Sequence, residues 1–562
     1  MKYLLFVSLF FLFGLGVSCQ SPPKNEMADL VFLNGVVWTV NPERPEAEAL
    51  AIKGNRILKV GSSEEMKREI GHATEVIDLE GAFVLPGFTD AHTHFLDGGV
   101  SLSCVQLREA ETPDEFIARI ADKAQEMGKG SWILNGNWDH QQFDPPELPR
   151  KEWIDPVTPD NPVCVNRLDG HMVLVNSLAM KIAGIGENTL TPEGGEILKD
   201  PQTGEPTGIL KDSAIDLVTA HIPEPALEEK MEALQAALEH ANRFGVTSIH
   251  DMSYASHFEV YNELLKRKKL TARLYVYIPI SAIDLLAGPD KKAFPRSDFL
   301  KIAGLKGFAD GSLGSSTALF FEPYDDDPTK RGLLAADMFP EGVMEKRLMS
   351  ADQAGLQVTV HAIGDKANHI MLDLYEEVME KNGERDRRWR IEHAQHLIPE
   401  DFARFEKLGV IASVQPYHAI DDGRWAEKKI GRERLRSMYA FQSLLKSGAV
   451  LACGSDWTVA PLNPLTGIYA AVSRRTLDGK NPDGWFPEEK ISLEEAIKGY
   501  TLNPAYAEFA EHLKGSLEEG KWADIVILDQ NLFEMPPEKI LDTRVIMTVL
   551  DGEIVYKNEQ FR

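Results

Sequence analysis

Two rhythms of apolar and polar positions divide this chain. Between residues 29 and 85, short runs such as LVFLNGVVWTV, ALAIKGNRILKVG and TEVIDLEGAFVLPG alternate apolar and polar side chains around Asn-Gly and Gly-Asn turns. The same texture returns at 513–562 in GSLEEGKWADIVILD and VIMTVLDGEIVYKN, the latter turning at Asp-Gly. Period-two alternation broken by such dipeptides predicts half-buried β-hairpins. Neither stretch alone has enough strands to bury a face, so the two are expected to pair as one small β-sandwich built from both chain ends.

Residues 86–512 follow the second rhythm, in which short apolar runs alternate with helical segments. Eight strands are predicted: FVLPGFTDAH, GVTSIHDM, ARLYVYIPI, LKIAGLKGFA, LQVTVHAIG, RWRIEHAQ, GVIASVQP and AVLACGSDW. Helical patterns stand between them, including LEEKMEALQAALEHANRFG before the second and MEKRLMSADQAG before the fifth. Alternating strands and helices predict a parallel sheet, and eight of them an α/β (β/α)8 TIM barrel; an open doubly wound sheet is the alternative. The interval 98–225 is too long for one crossover and carries Gly, Pro and aromatic clusters. It is expected to be an insertion emerging over the C-terminal mouth of the barrel, where substrate-shaping loops sit.

At 562 residues the chain exceeds what one core usually organises, in keeping with a large domain and a small one. Its formal net charge of −27 argues against a nucleic-acid partner, because no basic face would offset the phosphates. At the N-terminus Lys2 precedes an apolar run from Tyr3 to Val17, too short for a comfortable span but suited to a signal-peptide core. Cys19 stands where a bacterial lipoprotein signal places its acylated cysteine, with Ser18 before it and Gly16 in place of the usual leucine. Residues 1–19 are therefore expected to be a leader and 20–28 a tether, giving an exported protein anchored in the membrane through lipid and facing the periplasm. Ordinary secretion and a plain membrane anchor are the alternatives. Cys104, Cys164 and Cys453 remain, an odd number that offers no disulfide framework.

Chemistry enters at the ends of the predicted strands. His92 and His94 lie two apart on the first, so they share a face and can clasp one ion. Lys306, His361, His393 and Asp456 close the fourth, fifth, sixth and eighth runs. A barrel gathers strand ends around one mouth, so residues hundreds of positions apart can converge there on divalent metal. The glycine-rich GSLGSSTA lacks the lysine of a phosphate loop and is expected to shape a tight loop at the mouth. His140, His250 and His257 are expected to be structural or surface residues.

The motifs PGFTDAHTH, LKGFADGSLGSSTALFFEPY, HAIGDKA, RIEHAQ, GSDWTVAPLNPL and GSLEEGKWADIVILD together resemble the metal-dependent amidohydrolase superfamily, and within it amidohydrolase family 3 and its N-substituted formamide deformylases. That resemblance implies two divalent ions, by default zinc, with manganese or iron as alternatives. It implies that His92, His94 and Asp456 hold the deeper ion and His361 and His393 the shallower one. A carboxylated Lys306 and a hydroxide would bridge them; a buried or salt-bridged lysine is the other reading of that position. Asp456 would also shuttle the proton. Asp139, His171, Asp310 and His418 recur in motifs of this kind and are weaker candidates for substrate contact or support.

The implied activity is hydrolysis of a C–N bond in a small amide, N-acyl or N-formyl compound. A lactonase or phosphotriesterase-like hydrolase is the alternative within enzymes, and a lipid-anchored binding protein on the same scaffold the alternative outside them. The expected partner is a small molecule, and homo-oligomerisation is open. From the leader, Cys19→Ala is expected to move the protein from membrane to soluble fractions on cell fractionation. Unchanged partitioning would mean that the apolar leader itself anchors the chain.

Overall fold

A computed structural model of the chain describes residues 27–288, 294 and 296–560. The expected leader, Cys19 and most of the tether lie outside these residues. The eight predicted strands form one parallel sheet in sequential order: β1 (Phe88–Thr93), β2 (Val246–Met252), β3 (Arg273–Pro279), β4 (Leu300–Phe308), β5 (Gln357–Ala362), β6 (Arg390–His393), β7 (Ile411–Val414) and β8 (Leu451–Cys453). β1, β2, β5, β6, β7 and β8 are buried along their whole length, as strands covered on both faces must be.

The sheet curls until β8 meets β1, making a nearly closed barrel. The seam is held by backbone hydrogen bonds from Asp456 N to His92 O at 2.7 Å and from His94 N to Trp457 O at 2.8 Å. Gly454 makes this approach possible: a Cβ there would stand 2.5 Å from the His92 nitrogen.

The helices read from the sequence pack outside the barrel. Leu227–Arg243 buries Met231, Leu234, Leu238 and Ala241 at helical spacing. Val343–Gln353 buries Met344, Leu348 and Ala351 in the same way.

Both chain ends share a six-stranded sheet that runs Glu553–Lys557, Val545–Leu550, Ile525–Leu528, Phe83–Pro86, Val36–Trp38, Glu46–Ala47. A four-stranded sheet of Arg56–Gly61, Ala49–Lys53, Leu30–Leu33 and Glu75–Asp78 stacks on it. Leu30, Phe32, Leu50, Val84, Ile525 and Met547 fill the space between them. The last hairpin turns at Asp551 and Gly552, both with positive φ (55° and 83°), the geometry that Asp-Gly favours. The expected first barrel strand is divided: Phe83–Pro86 belongs to the sandwich and only Phe88–Thr93 to the barrel. A continuous apolar run conceals that break, because both halves are buried.

The insertion is a folded layer and not a set of loops. Its five strands run Gly195–Lys199, Pro206–Asp212, Met172–Val175, Val163–Arg167, Ile133–Trp138. Alternate residues face two cores: Val163 and Val165 join Phe116 and Ile120 on one side, while Cys164 joins Ala179 and Met180 on the other.

Arg273 on β3 bolts the sandwich to the barrel. Its guanidinium forks onto Asp524 at 2.7 and 2.9 Å, reaches Asp551 at 2.8 Å, and lies 3.8 Å from the Trp522 ring centroid. Removing one partner of a buried pair costs about 3–5 kcal/mol, since the other charge is left desolvated. Arg273→Ala is expected to lose stability of that order, read as a lower urea midpoint with unchanged composition of the native far-ultraviolet spectrum. An unchanged midpoint would show the junction to be held by packing alone.

Candidate metal centre

At the C-terminal mouth the strand ends deliver their polar side chains into one cavity of about 470 Å³. His92, His94, Lys306, His361, His393 and Asp456 all line it, although they come from positions 92 to 456. His92, His393 and Asp456 form the most compact set, with one donor atom of each lying within 4.8 Å of the others. Asp456 Oδ1 is 3.5 Å from His92 Nε2 and 3.4 Å from His94 Nε2. The rings of His361 and His393 are 4.6 Å apart.

Two of these residues point inward only because the backbone departs from strand geometry. On β6 alternation turns Arg390 and Glu392 toward the barrel interior and would turn His393 away. His393 instead has φ 73°, and its imidazole swings into the mouth. Asp456, just past β8, has φ 59° and is aimed in the same way. A positive φ on a non-glycine residue costs about 1–3 kcal/mol and persists where the surroundings impose it. Here the β1–β8 seam imposes it at Asp456.

Partners behind the ring fix the tautomers. His92 Nδ1 donates to Glu392, and His393 Nδ1 donates to Gln415 Oε1 at 2.7 Å. Both histidines therefore keep Nε2 with a free lone pair, and that of His92 lies 3.5 Å from Asp456 Oδ1. His361 takes the other arrangement, with Nε2 3.1 Å from the Gly311 carbonyl.

Glu392 is fully buried and receives Arg390 at 2.8 Å and the Thr359 hydroxyl as well. Burial alone would raise its pKa, but the Arg390 guanidinium and His92 hold it well below the usual carboxylate range. Asp456 is likewise held low by His92, His94 and His393 against the upward push of burial. Burial lowers the Lys306 ammonium to about 8, against the pull of Glu392 and Asp456. That lysine sits 4.8 Å from the Phe308 ring centroid.

The weaker candidates separate. His171 and His418 line the cavity, and His171 Nδ1 is 2.7 Å from Asp212. Asp310 lies below it, accepting the backbone N–H groups of Leu319, Ile363 and Gly364 at 2.7, 3.0 and 2.8 Å. Asp139 is engaged by Arg167 at 2.8 Å. The GSLGSSTA loop meets this same Arg167: a Cβ on Gly314 would stand 2.2 Å from its guanidinium. His250 is structural, buried in the barrel against Arg390 at 2.8 Å. Glu392, Arg390 and Gln415 are absent from the sequence reading. The spacing of Arg390 and Glu392 in RIEH carried a signal for the first two, two apart on the face opposite Ile391.

A metal fits this donor set. Asp456 Oδ1 is buried without a hydrogen-bond partner, an arrangement that is costly unless a cation completes it. The signature of the amidohydrolase family matches residues 75–556. The chain belongs to amidohydrolase family 3. It is 43% identical over 549 residues to Protein LONG AFTER FAR-RED 3 of Arabidopsis thaliana, covering 95% of this chain and 93% of the relative. It is 27% identical to the N-substituted formamide deformylase of Arthrobacter pascens, covering 95% and 99%. Among solved structures, an uncharacterized metal-dependent hydrolase from Pyrococcus furiosus superposes with a TM-score of 0.70 at 30% identity, covering 89% of this chain and 99% of that one. The protein is thus a metal-dependent amidohydrolase whose candidate metal site contains His92, His393 and Asp456.

Glu392 orients His92 and adds negative charge behind it, so Glu392→Gln is expected to weaken metal binding about 10–100-fold. Competition with a chromogenic chelator measures this, and the thermal midpoint of the metal-free variant separates the effect from unfolding. Unchanged affinity would confine Glu392 to neutralising Arg390.

Proposed function

We propose that this amidohydrolase cleaves a C–N bond in a small amide, N-acyl or N-formyl compound, using two divalent ions and a carboxylated Lys306. The observation that carries the reading is the convergence of Asp456 with His92, His94 and His393 at the floor of a cavity of small-molecule size, about 470 Å³. The name of the Arthrobacter pascens relative supports the C–N class.

His92, His94, His361, His393, Asp456 and Lys306 would hold the ions, which when bound supply Lewis acidity toward a carbonyl oxygen and lower the pKa of water. Burial disfavours the charged form of Lys306, and the neutral amine is the form that adds carbon dioxide. The new N–C bond forms with loss of one amine proton to solvent, and the carbamate would replace a repelling cation by an anion with two oxygens. Asp456 keeps its charge in the resting site and turns Oδ1 toward the imidazoles. Oδ2 is then the oxygen left to take a proton from the attacking water and return it to the departing nitrogen. An amide needs that delivery, because an unprotonated amine is a very poor leaving group. The insertion roofs the cavity with Leu134, Val173, Ile215 and Ile222, which limit bulk water at the reacting bond.

Two measurements test this. Protein purified without chelator is expected to carry about two divalent ions and one carbon dioxide adduct, by elemental analysis and non-acidic intact mass. One ion without an adduct would leave Lys306 a neighbour of a mononuclear site. Separately, Asp456→Asn is expected to lower kcat on formamides or N-acyl amines by at least about 100-fold while the fold is kept. Most of the activity surviving would remove Asp456 as proton carrier, and wild-type turnover of lactones or phosphotriesters alone would overturn the C–N assignment.

A further inference from the structure

The helix Pro416–Asp422, which follows β7, lines the cavity with His418 and, one turn on, with Asp421 and Asp422. His418 lies against the metal centre, its ring stacked on that of His393 with centroids 6.3 Å apart and planes at 16°. Only 9% exposed, it has an Nε2 without a hydrogen-bond partner. Asp422 stands four residues on, about 6 Å further along the helix axis. One carboxylate oxygen accepts the Tyr439 hydroxyl at 2.7 Å and the Gln395 amide at 3.3 Å. Neither partner is charged. Burial pushes this carboxyl up to about 7, against the Tyr439 hydroxyl and the Arg167 charge, and among the described residues no cation forms an ion pair with it.

The cations nearby are already committed. Arg167 is held by Asp139 at 2.8 Å and Asp169 at 2.6 Å. Asp421 takes both Arg108, at 3.1 Å, and Arg424. Apart from Lys306 at the floor and the histidines, Arg167 is the only basic side chain among the described residues lining the cavity. The histidine beyond the metal ligands with a raised pKa, His171, is held by Asp212. Leu134, Val173, Ile215, Ile222 and Phe308 contribute apolar surface to the same cavity. A substrate reaching outward from the metal centre thus finds hydrocarbon in the lining together with an imidazole and a carboxylate that no cation pairs.

We propose that this helix is a recognition edge selecting amides whose apolar body carries a second, protonated nitrogen, with Asp422 as the partner of that ammonium and His418 facing the segment nearer the scissile bond. The same edge disfavours a substrate that ends in a carboxylate, which would stand against Asp422 with no free cation to receive it. The inference rests on the C–N hydrolase reading and narrows it to a substrate class.

The test uses the metal-loaded full chain and three probes of equal length: the mono-N-formyl derivative of a linear diamine, the N-formyl alkylamine, and the N-formyl ω-amino acid. Wild type is expected to rank them in that order by kcat/KM. In Asp422→Asn, whose amide oxygen still accepts from Tyr439, the ratio of the first to the second should fall about tenfold or more, chiefly through KM. Equal handling of the three probes by wild type, which needs no variant to fold, overturns the proposal, as does an unchanged ratio in Asp422→Asn. If wild type hydrolyses none of them, the N-formyl branch of the hydrolase reading fails on its own account. Calorimetric titration of the free linear diamine against the alkyl alcohol of equal length then reads the subsite directly. Tighter diamine binding that weakens in Asp422→Asn supports the edge, and indifference to either change overturns it.

Discussion

A parallel sheet of eight strands buries its edges only if the last strand meets the first, and in this chain that seam runs through the metal centre. Asp456 donates its backbone N–H to His92 O, while the side chains of the same two residues approach within 3.5 Å. Asp90 accepts the N–H groups of His92 and Ser455 at 3.1 and 2.9 Å, pinning both sides of the seam with one carboxyl. Gly454 lets the two backbones come this close. The contacts that close the barrel and those that gather the ligands therefore share the same residues.

Beneath the mouth the barrel is not filled with hydrocarbon. Arg390 reaches the Ala91 carbonyl at 2.5 Å, Ser413 at 2.7 Å, His250 at 2.8 Å and Glu392 at 2.8 Å, with no exposure to water. Burying such charges contributes little to stability by itself, because desolvation offsets their attraction. What it supplies is orientation: each partner fixes another, and the chain of contacts ends at the tautomer of His92.

The insertion completes the mouth from above. Its sheet is buried on both faces, so it offers a stiff roof over the cavity in place of mobile loops. Arg167 and Asp169 carry it down to the barrel, where Asp169 accepts the Ser312 hydroxyl at 2.5 Å from the loop after β4. The insertion and the helix after β7 thereby both line the cavity, the first with apolar and the second with polar side chains.

The local code settled much of this protein. Period-two and period-3.6 patterns set each barrel strand and its neighbouring helices, because burial of one face or both depends on residues close in sequence. That the six candidate residues would meet was readable too, since strand ends of a barrel gather at one mouth, and all six line one cavity. What needed the tertiary structure depends on residues far apart. The break between Phe83–Pro86 and Phe88–Thr93 arises because two different sheets claim one apolar run. The insertion's strand order, with Met172–Val175 between Pro206–Asp212 and Val163–Arg167, leaves no trace in local pattern. The positive φ of His393 and Asp456, the burial of Glu392 behind His92, and the placement of Asp422 beside Tyr439 follow from contacts spanning up to hundreds of residues. Periodicity says which face a side chain takes on a regular strand; only closure of the barrel says where the strand must stop being regular.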